Sequence, residues 1–440
     1  MSDESRENHI VQTINVTPER ERAVLVAVDW QRNGWDIDSS LDELARLADT
    51  AGIDVVDAVT QHLSHPNASH YVGAGKLQEI KDLGEQVSFD VVVVNDELSP
   101  GQLRNLEDQL NKKVVDRTAL ILDIFAGRAR THEGRLQVEL AQLEYRLPRL
   151  TRMWTHLSRQ AVGGVGVRGP GETQLEVDRR EARRRIAWIK TQLGEVHRHR
   201  QLYRDRRRRA GVPVIGLVGY TNAGKSTLLN ALTGAGVTAE DKLFATLDPT
   251  TRRVELPNGR EALFTDTVGF IQNLPTFLIA AFRATLEEIR EASVLVHVLD
   301  VTHPKSAQQA ATVHEVLEEL GADDRPMITV LNKIDRLGDS AVPELLVGNL
   351  SDARLVIPVS AQTGEGLDTL LCRVTDVLED RRRLVDVELM IPFSDAKLLD
   401  LFHRVGEVDD QRFNDRGTEV TGRIPERLLP RFERFQQSPN

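Results

Sequence analysis

The spacing of apolar residues changes along the chain and divides it into segments of different fold. Between residues 22 and 116, short apolar runs alternate with stretches in which apolar residues recur every three or four positions. This alternation predicts strands and amphipathic helices in turn, and therefore a small α/β domain. The predicted elements span residues 23–28, 41–51, 55–63, 77–83, 91–94 and 103–110. Before them, the polar residues 1–21 predict a flexible terminus.

A helical spacing of apolar residues appears twice in the next segment, residues 117–209. Two helices with matching apolar seams predict an antiparallel hairpin. Between them, the glycine-rich residues 163–172 are placed at the tip, where glycine permits close approach of the backbone to RNA or nucleotide. A flexible linker is the alternative interpretation. The first seam comprises Leu136, Leu140, Leu143 and Leu147, and the second comprises Ala182, Ile186, Ile189, Leu193 and Val196.

From residue 214 the pattern returns to apolar strands, and the first of them leads into a phosphate-binding sequence. Residues 214–218 predict a buried strand and residues 226–232 a helix. The turn between them matches G-x-x-x-x-G-K-S/T, whose backbone N–H groups surround phosphate oxygens at a helix N-terminus. We expect Lys225 to contact the β- and γ-phosphates and Ser226 to offer its hydroxyl to Mg²⁺. The predicted loop consists of Gly219, Tyr220, Thr221, Asn222, Ala223, Gly224, Lys225 and Ser226.

Residues 327–331 predict another buried strand, which ends in a sequence suited to guanine. The carboxylate of Asp335 can accept hydrogen bonds from N1–H and the exocyclic amine of guanine, whereas adenine would leave that charge unpaired. Asn332 is expected to brace the loop, with the stem of Lys333 lying on the ring. A third segment, after the apolar residues 355–359, is expected to offer a backbone N–H to guanine O6. The two base-side segments are Asn332-Lys333-Ile334-Asp335 and Ser360-Ala361-Gln362.

Two further segments are placed to sense the γ-phosphate. In the segment Asp266-Thr267-Val268-Gly269, the carboxylate can hold a Mg²⁺-bound water and the Gly269 N–H can contact the γ-phosphate. The first switch is predicted at Phe244-Ala245-Thr246-Leu247-Asp248-Pro249-Thr250. Its threonine would complete the Mg²⁺ shell in the triphosphate state only. Spacing alone leaves three candidates, Thr246, Thr250 and Thr251.

These five segments together resemble a translation-factor-class GTPase domain, and nearly the whole chain is similar to the HflX family of ribosome-associated GTPases. The sequence motifs that carry this resemblance are Tyr71-Val72-Gly73-Ala74-Gly75-Lys76, the glycine-rich residues 163–172 and Phe244-Ala245-Thr246-Leu247-Asp248. The resemblance implies that Thr246 is the switch threonine on Mg²⁺ and that residues 244–248 fold over the nucleotide. It further implies binding to the large ribosomal subunit, with dissociation of subunits or rescue of stalled or idle ribosomes.

The residue after the Asp-x-x-Gly segment is Phe270, where Ras-like enzymes carry a glutamine that orients water. An apolar side chain cannot orient the attacking water, so we expect slow intrinsic hydrolysis with Lys225, Thr246 and Gly269 as the catalytic residues and the missing electrostatics supplied by a partner or an ion. Retraction of Phe270 into an apolar pocket is compatible with this expectation. The HflX family shares the apolar residue.

Asn222 is the candidate ligand for such an ion. It occupies the position of the asparagine whose amide oxygen helps to coordinate K⁺ in potassium-stimulated GTPases. Asparagine is also a common turn residue, so a purely structural role is the alternative.

Charge is unevenly distributed. Residues 127–209 contain 21 Lys and Arg against 9 Asp and Glu, a net charge of +12. The whole chain has a net charge of −11, so the remaining residues carry −23. Clustered arginine favours a phosphate-rich partner such as RNA, because each neutralised phosphate releases counterions. A solvated helix face is the alternative interpretation.

Composition excludes several classes of protein. The 440 residues suffice for about three domains with real cores. The single cysteine, Cys372, allows no internal disulfide, and its place in an apolar-periodic run predicts a buried thiol. The polar N-terminus and the lack of any run of 18 apolar residues argue against secretion and membrane spanning. No spacing of His, Cys and carboxylates is typical of zinc.

Two other segments carry weaker signals. Gly73-Ala74-Gly75-Lys76 lacks the first glycine of a phosphate loop and predicts a tight turn or helix start; an adenine-nucleotide site there is implied by resemblance only. Beyond residue 381, the pattern predicts a strand, a helix, two strands and a final amphipathic helix over residues 426–435.

The sequence therefore predicts an α/β protein of four segments: an N-terminal α/β domain (22–116), a basic hairpin (117–209), a doubly wound GTPase domain (210–380) and an α+β cap (381–440). We expect a cytoplasmic, monomeric GTPase that uses Mg²⁺ and binds GTP, GDP and the large ribosomal subunit with its rRNA. The alternatives are a GTPase assisting tRNA modification or ribosomal RNA maturation, and an RNA-binding scaffold in which GTP is a structural ligand.

Overall fold

The computed structural model describes residues 20–30, 35–150, 174–209, 211–234, 242–275, 277–278, 283–337, 355–380, 384–414 and 417–436. The predicted tip, residues 163–172, lies outside these ranges. The chain divides into two compact units, Met1–Ile121 and Leu122–Asn440, and each is described by itself below.

The first unit is built on a four-stranded, fully parallel sheet with the order β2-β1-β3-β4. The valines of the central strands are fully buried, as expected for parallel strands covered on both faces. Gly73 is the N-cap of α2, so Gly73-Ala74-Gly75-Lys76 forms a helix start, as predicted. The elements are β1 (Arg22–Asp29), α1 (Ile37–Thr50), β2 (Asp54–His62), α2 (Ala74–Gln86), β3 (Val91–Val94), α3 (Pro100–Leu110) and β4 (Lys113–Asp116), followed by α4 (Arg117–Arg128), which carries the chain into the second unit.

The second unit begins with the helical hairpin, formed by α5 (His132–Arg146) and α6 (Gln174–Arg209). The two predicted seams meet in one apolar cluster that contains Leu136, Leu140, Leu143, Ile186, Ile189 and Leu193. Glu133 pairs with Arg200 and Glu139 with Arg185, which shows that the two helices run in opposite directions. Among the described helices, α6 included, none is both long and apolar enough to cross a membrane.

The nucleotide-binding fold of the second unit is a six-stranded sheet with the order β10-β9-β8-β5-β7-β6, in which only the edge strand β6 is antiparallel. The reversal of strand order beside β5 is the switch point at which doubly wound sheets bind ligands. The mixed α/β class is confirmed. The elements are β5 (Val214–Val218), α7 (Lys225–Thr233), β6 (Thr250–Glu255), β7 (Glu261–Asp266), α8 (Arg283–Arg290), β8 (Val294–Asp300), α9 (Ser306–Glu319), β9 (Met327–Asn332), β10 (Val356–Val359) and α10 (Leu367–Asp380).

Cys372 is exposed on α10, so the prediction of a buried thiol is wrong. The buried residues of α10 are Leu370, Val374 and Thr375. Two helical steps rotate a side chain by about 200°, which carries position 372 to the opposite side from Leu370. The apolar run is amphipathic, and the cysteine lies on its solvent side.

The C-terminal segment forms an antiparallel sheet with the order β11-β13-β12. The predicted final helix over residues 426–435 is wrong, because this segment is broken into two 3₁₀ turns around the single turn α12. Pro430 has no N–H to donate to the carbonyl of Glu426, which prevents a continuous helix. The elements are β11 (Leu384–Ile391), α11 (Ala396–Val405), β12 (Glu407–Asn414), β13 (Gly417–Pro425) and α12 (Leu429–Phe432).

Candidate nucleotide-binding site

The phosphate loop connects β5 to the N-terminus of α7, at the carboxyl edge of the sheet. Gly224 adopts φ +98°, and a Cβ there would collide with the side-chain amide of Asn332, so this turn requires glycine. The ammonium of Lys225 is buried inside the loop, where it donates to the carbonyls of Gly219 at 3.1 Å and Tyr220 at 2.9 Å. The loop thus holds the positively charged ammonium of Lys225 at its centre.

Burial lowers the pKa of Lys225 to about 8, although the nearby carboxylate of Asp266 raises it in part. A buried cation held mainly by neutral carbonyls is short of negative charge. A phosphate group would supply that charge and bring the ammonium back towards its ordinary pKa.

Three oxygen-bearing side chains from three different segments meet beside Lys225. The hydroxyl of Ser226 donates to Asp266 Oδ2 at 2.6 Å, that of Thr246 donates to the same oxygen at 3.0 Å, and the two hydroxyls lie 2.9 Å apart. The other oxygen, Asp266 Oδ1, is buried and has no hydrogen-bond partner among the residues that the structure describes. Burial raises the pKa of Asp266, and Lys225 and the two hydroxyls lower it in part.

This donor set suits Mg²⁺. Hydroxyl and carboxylate oxygens are the ligands that Mg²⁺ takes, and it keeps several waters besides. The unpartnered oxygen of Asp266 fits such an ion, because a cation or its bound water would satisfy it. Ser226 and Thr246 are the residues that can reach the metal directly.

The three candidate switch threonines occupy different places. Thr246 lies with Ser226 and Asp266, whereas Thr251 bonds to Thr265 at 3.0 Å within the β6–β7 pair. Thr250 is the first residue of β6 and is paired with Asp266 through the backbone register. Thr246 is therefore the candidate that the fold brings to the metal-binding oxygens.

The base-side segments are joined to the phosphate loop by hydrogen bonds. Asn332 donates through Nδ2 to the carbonyl of Ala223 at 2.8 Å and accepts from the Ala361 N–H at 3.0 Å. Ser360 donates to Asp335 Oδ1 at 2.6 Å. The three predicted segments thus meet, with Asn332 at their junction. Of their other residues, Ile334 begins a 3₁₀ turn and Gln362 is exposed.

Asp300 is a functional candidate that sequence reasoning missed. Its carboxylate pairs with Lys333 Nζ at 2.6 Å, and the same ammonium donates to the Asn222 carbonyl at 3.0 Å. Burial alone would raise the pKa of Asp300, but hydrogen bonds from Lys333 and Thr302 outweigh it and hold that pKa below its usual value. The available signal was a carboxylate at the carboxyl end of a buried strand, β8.

Gly269 and Phe270 lie directly against the phosphate loop. A Cβ on Gly269 would lie 2.8 Å from Thr221 Cα and 3.0 Å from Lys225 Nζ, so only glycine permits this approach. Phe270 is 1% exposed, and its backbone exchanges hydrogen bonds with Gly219 and Thr221. Its side chain is retracted into the apolar interior and cannot reach a water at the phosphates.

The pocket itself corrects one expectation. Leu247 and Asp248 do not line it: Leu247 is 3% exposed, and the Asp248 carboxylate accepts hydrogen bonds from the start of α5. Residues 244–246, by contrast, do face the pocket. The lining also includes Thr227 and Lys242, which sequence reasoning missed. Among the described residues, the lining is Thr221, Asn222, Gly224, Lys225, Ser226, Thr227, Lys242, Phe244, Ala245, Thr246, Thr267 and Gly269.

Three protein-family models match successive parts of the chain. They are described as GTP-binding GTPase N-terminal (residues 38–126), GTP-binding GTPase Middle Region (residues 128–207) and 50S ribosome-binding GTPase (residues 214–333). The chain is 49% identical to GTPase HflX of Caldanaerobacter subterraneus subsp. tengcongensis over 93% of each protein. It is 43% identical to GTPase HflX of Escherichia coli (strain K12) over 90% of this chain and 92% of that protein.

Among solved structures, a GTP-binding protein from the hyperthermophilic archaeon Sulfolobus solfataricus in complex with GDP is 26% identical, with a TM-score of 0.42. That match covers 82% of this chain and 99% of the other.

The doubly wound sheet and the phosphate loop define a P-loop GTPase, a protein that binds and hydrolyses GTP. The chain belongs to the HflX family of GTPases, which its sequence motifs resembled.

Asp335 generates a prediction about base choice. Asp335→Asn should weaken GTP binding about 100-fold, because the new amide has only one accepting oxygen and cannot accept from both guanine N1–H and the exocyclic amine. Xanthosine triphosphate should bind better than GTP, since its 2-oxo group accepts from the amide. Competition binding with both nucleotides measures this, with the exposed Asp368→Asn as the matched control. Unchanged nucleotide preference in Asp335→Asn would remove this residue from the base site.

Proposed function

We propose that this GTPase binds the large ribosomal subunit through its helical hairpin and that GTP hydrolysis ends the bound state, in the splitting or rescue of stalled or idle ribosomes. The family models and the HflX relatives support this proposal. The observation that carries it is a set of exposed arginines on α6 that make no ion pair within the described ranges. In this proposal the chain has four functional segments, residues 22–116, 117–209, 210–380 and 381–440. The protein acts in the cytoplasm as a monomer.

The positive charge of α6 falls into two groups. One group is used within the fold: Arg185, Arg200, Arg204 and Arg207 pair with glutamates of α5 or α8. The second group is exposed and makes no ion pair within the described residues: Arg183, Arg184, Arg198 and Arg206. The second group is available to phosphates, and phosphate neutralisation is the sequence-independent part of RNA affinity.

Hydrolysis depends on residues of the phosphate loop and the switches. Lys225 would hold the β- and γ-phosphates, and the Gly269 N–H would contact the γ-phosphate. Ser226 and Thr246 would hold Mg²⁺, with Asp266 on a bound water; the ion neutralises charge on the phosphate oxygens. Because Phe270 is buried and apolar, no side chain at its position orients the attacking water, so the intrinsic rate is slow and the ribosome raises it.

We also propose that K⁺ binds beside the phosphates through the amide oxygen of Asn222, which lines the pocket with φ +60°. Hydrolysis should be several-fold faster in K⁺ than in Na⁺ at matched ionic strength, because an ion here adds positive charge next to the transferred phosphoryl group. Asn222→Ser should lose this difference, whereas Asn258→Ser, outside the pocket, should keep it. Equal initial rates of phosphate release by the wild-type protein in the two salts would reject the K⁺ site.

The ribosome should act as both ligand and activator. We predict that large subunits raise GTP turnover at least about tenfold over the intrinsic rate, as partners that supply catalytic electrostatics do. Binding should weaken steeply with salt, because arginine–phosphate contacts release counterions. Deleting residues 165–171 should reduce ribosome binding or stimulation while leaving the GTP affinity of the isolated protein nearly intact. Multiple-turnover phosphate release and subunit cosedimentation measure these effects.

Each alternative gives a different result in the same assays. An active GTPase that large subunits do not stimulate at low salt would favour a role in tRNA modification or ribosomal RNA maturation. Binding without turnover would favour a scaffold in which GTP is a structural ligand. Loss of GTP binding on deletion of residues 165–171 would make the hairpin tip part of the nucleotide site.

A further inference from the structure

Asp248 lies two residues after Thr246, yet its carboxylate is bonded to the hairpin and not to the nucleotide pocket. Asp248 Oδ2 accepts from the backbone N–H of Arg130 at 2.8 Å and of Thr131 at 2.9 Å. Asp248 Oδ1 accepts from the hydroxyl of Thr131. One carboxylate of the first switch therefore satisfies three donors at the start of α5.

Thr131 extends this connection into the helix itself. It is the N-cap of α5, and its Oγ1 accepts from the Gly134 N–H at 2.9 Å while donating to Asp248. Gly134 is placed so close to Asp248 that a Cβ would collide with the carboxylate. The negative carboxylate also lies at the positive end of the helix dipole, which favours it electrostatically. The contact therefore combines hydrogen bonds, a favourable charge interaction and close packing.

The first switch is attached to the same region on the other side of Thr246. Phe244 is 2% exposed with φ +53°, and its ring meets that of Phe125 edge to face with 4.7 Å between centroids. Phe125 lies in α4, just before the turn into α5. Thr246 is thus held between two contacts, at Phe244 and Asp248, with the segment that starts the hairpin.

A second connection braces the other helix of the hairpin against the GTPase fold. Arg204 of α6 is 9% exposed and pairs with Glu287 and Glu288 of α8, each at 3.1 Å. Arg200 of α6 pairs with Glu133, in the first turn of α5, at 2.7 Å. The N-terminal turn of α5 therefore contacts the first switch directly and α6 through an ion pair.

We propose that Asp248 is a positioning residue that couples Thr246 to the hairpin, so that holding Thr246 at the metal-binding oxygens and holding the start of α5 favour each other. When Thr246 leaves the pocket in the diphosphate state, the Asp248 contact is lost and the amides of residues 130 and 131 are released. Because coupling is reciprocal, a partner that binds the hairpin favours the triphosphate state. This reciprocal consequence rests on the proposed ribosome binding, whereas the Asp248 contact does not.

Hydrogen exchange tests the coupling without ribosomes. In the full-length protein, exchange at the amides of Arg130 and Thr131 should be slower with a non-hydrolysable GTP analogue and Mg²⁺ than with GDP, because these amides donate to Asp248. Asp248→Ala should abolish the difference between the two nucleotides. Equal protection in both nucleotide states of the wild-type protein, or an unchanged difference in Asp248→Ala, would overturn the proposal.

Nucleotide affinity provides a second readout, which a purely structural role of α5 would not change. Asp248→Ala and Thr131→Ala should each reduce the preference for the GTP analogue over GDP by about tenfold, and the double variant should lose no more than the stronger single variant. Ser99→Ala removes the N-cap of α3 in the first unit and is the matched control for a lost helix cap. Its preference should stay at the wild-type value.

The outcomes separate cleanly. GDP affinity near that of the wild type shows that a variant is folded at the nucleotide site, and a variant that fails this check is replaced by Asp248→Asn, which keeps the shape and removes the charge. In variants that pass this check, an unchanged preference for the GTP analogue over GDP, additive effects of the two substitutions, or a Ser99→Ala effect as large as that of Thr131→Ala would each overturn the proposal. Failure of ribosome stimulation would leave these results unchanged.

Discussion

The buried carboxylate of Asp266 is the group on which the nucleotide site depends. It is 2% exposed, it accepts from Ser226 and Thr246 through one oxygen, and its second oxygen has no hydrogen-bond partner in the described part of the chain. Beside it, Lys225 is also buried, and burial lowers the pKa of Lys225 and raises that of Asp266, which favours the neutral form of each group. A buried charge with too few partners costs free energy, and the electrostatic interactions of these two groups remain partly unsatisfied. Phosphate and Mg²⁺ carry the two charges that satisfy them.

This arrangement explains why the first switch matters beyond the pocket. Thr246 reaches Asp266 in a structure where the segment from Phe244 to Asp248 is folded against the start of the hairpin. The hydroxyl that would complete a metal site and the carboxylate that contacts the N-cap of α5 therefore lie in the same short segment. Under the proposed coupling, the same segment links the γ-phosphate site to the start of the basic hairpin.

Most of the site could be predicted from the sequence, because its parts are short sequence motifs at the carboxyl ends of buried strands. The phosphate loop, Asp266 and Asn332 follow β5, β7 and β9, and parallel strands bring these ends to one edge. Thr246 could not be separated from Thr250 and Thr251 by spacing, since the choice depends on how the switch folds. The roles of Asp248 and Asp300 were missed because their partners lie 117 and 33 residues away in sequence.

The fold could be predicted equally well where the apolar spacing was strong. It could be predicted less well where the exposure or pairing of a residue depends on the side chains around it. Both apolar seams of the hairpin were found from spacing alone. Cys372 was misplaced because an apolar run on an amphipathic helix includes residues on its exposed side. The arginines of α6 could be counted from sequence, but only the structure separates those that pair with Glu287 and Glu288 from those that remain exposed.

The dependence of nucleotide affinity on Mg²⁺ tests the central claim, that Thr246 and Asp266 form one metal-binding unit with Ser226. Affinities for a non-hydrolysable GTP analogue and for GDP would be measured with Mg²⁺ and with chelator, in the wild type and in Thr246→Val, which keeps the shape but loses the hydroxyl. Mg²⁺ should tighten analogue binding at least about tenfold more in the wild type than in the variant, while GDP affinity stays similar in both. An identical Mg²⁺ effect on analogue binding in Thr246→Val would contradict the metal-binding role of Thr246.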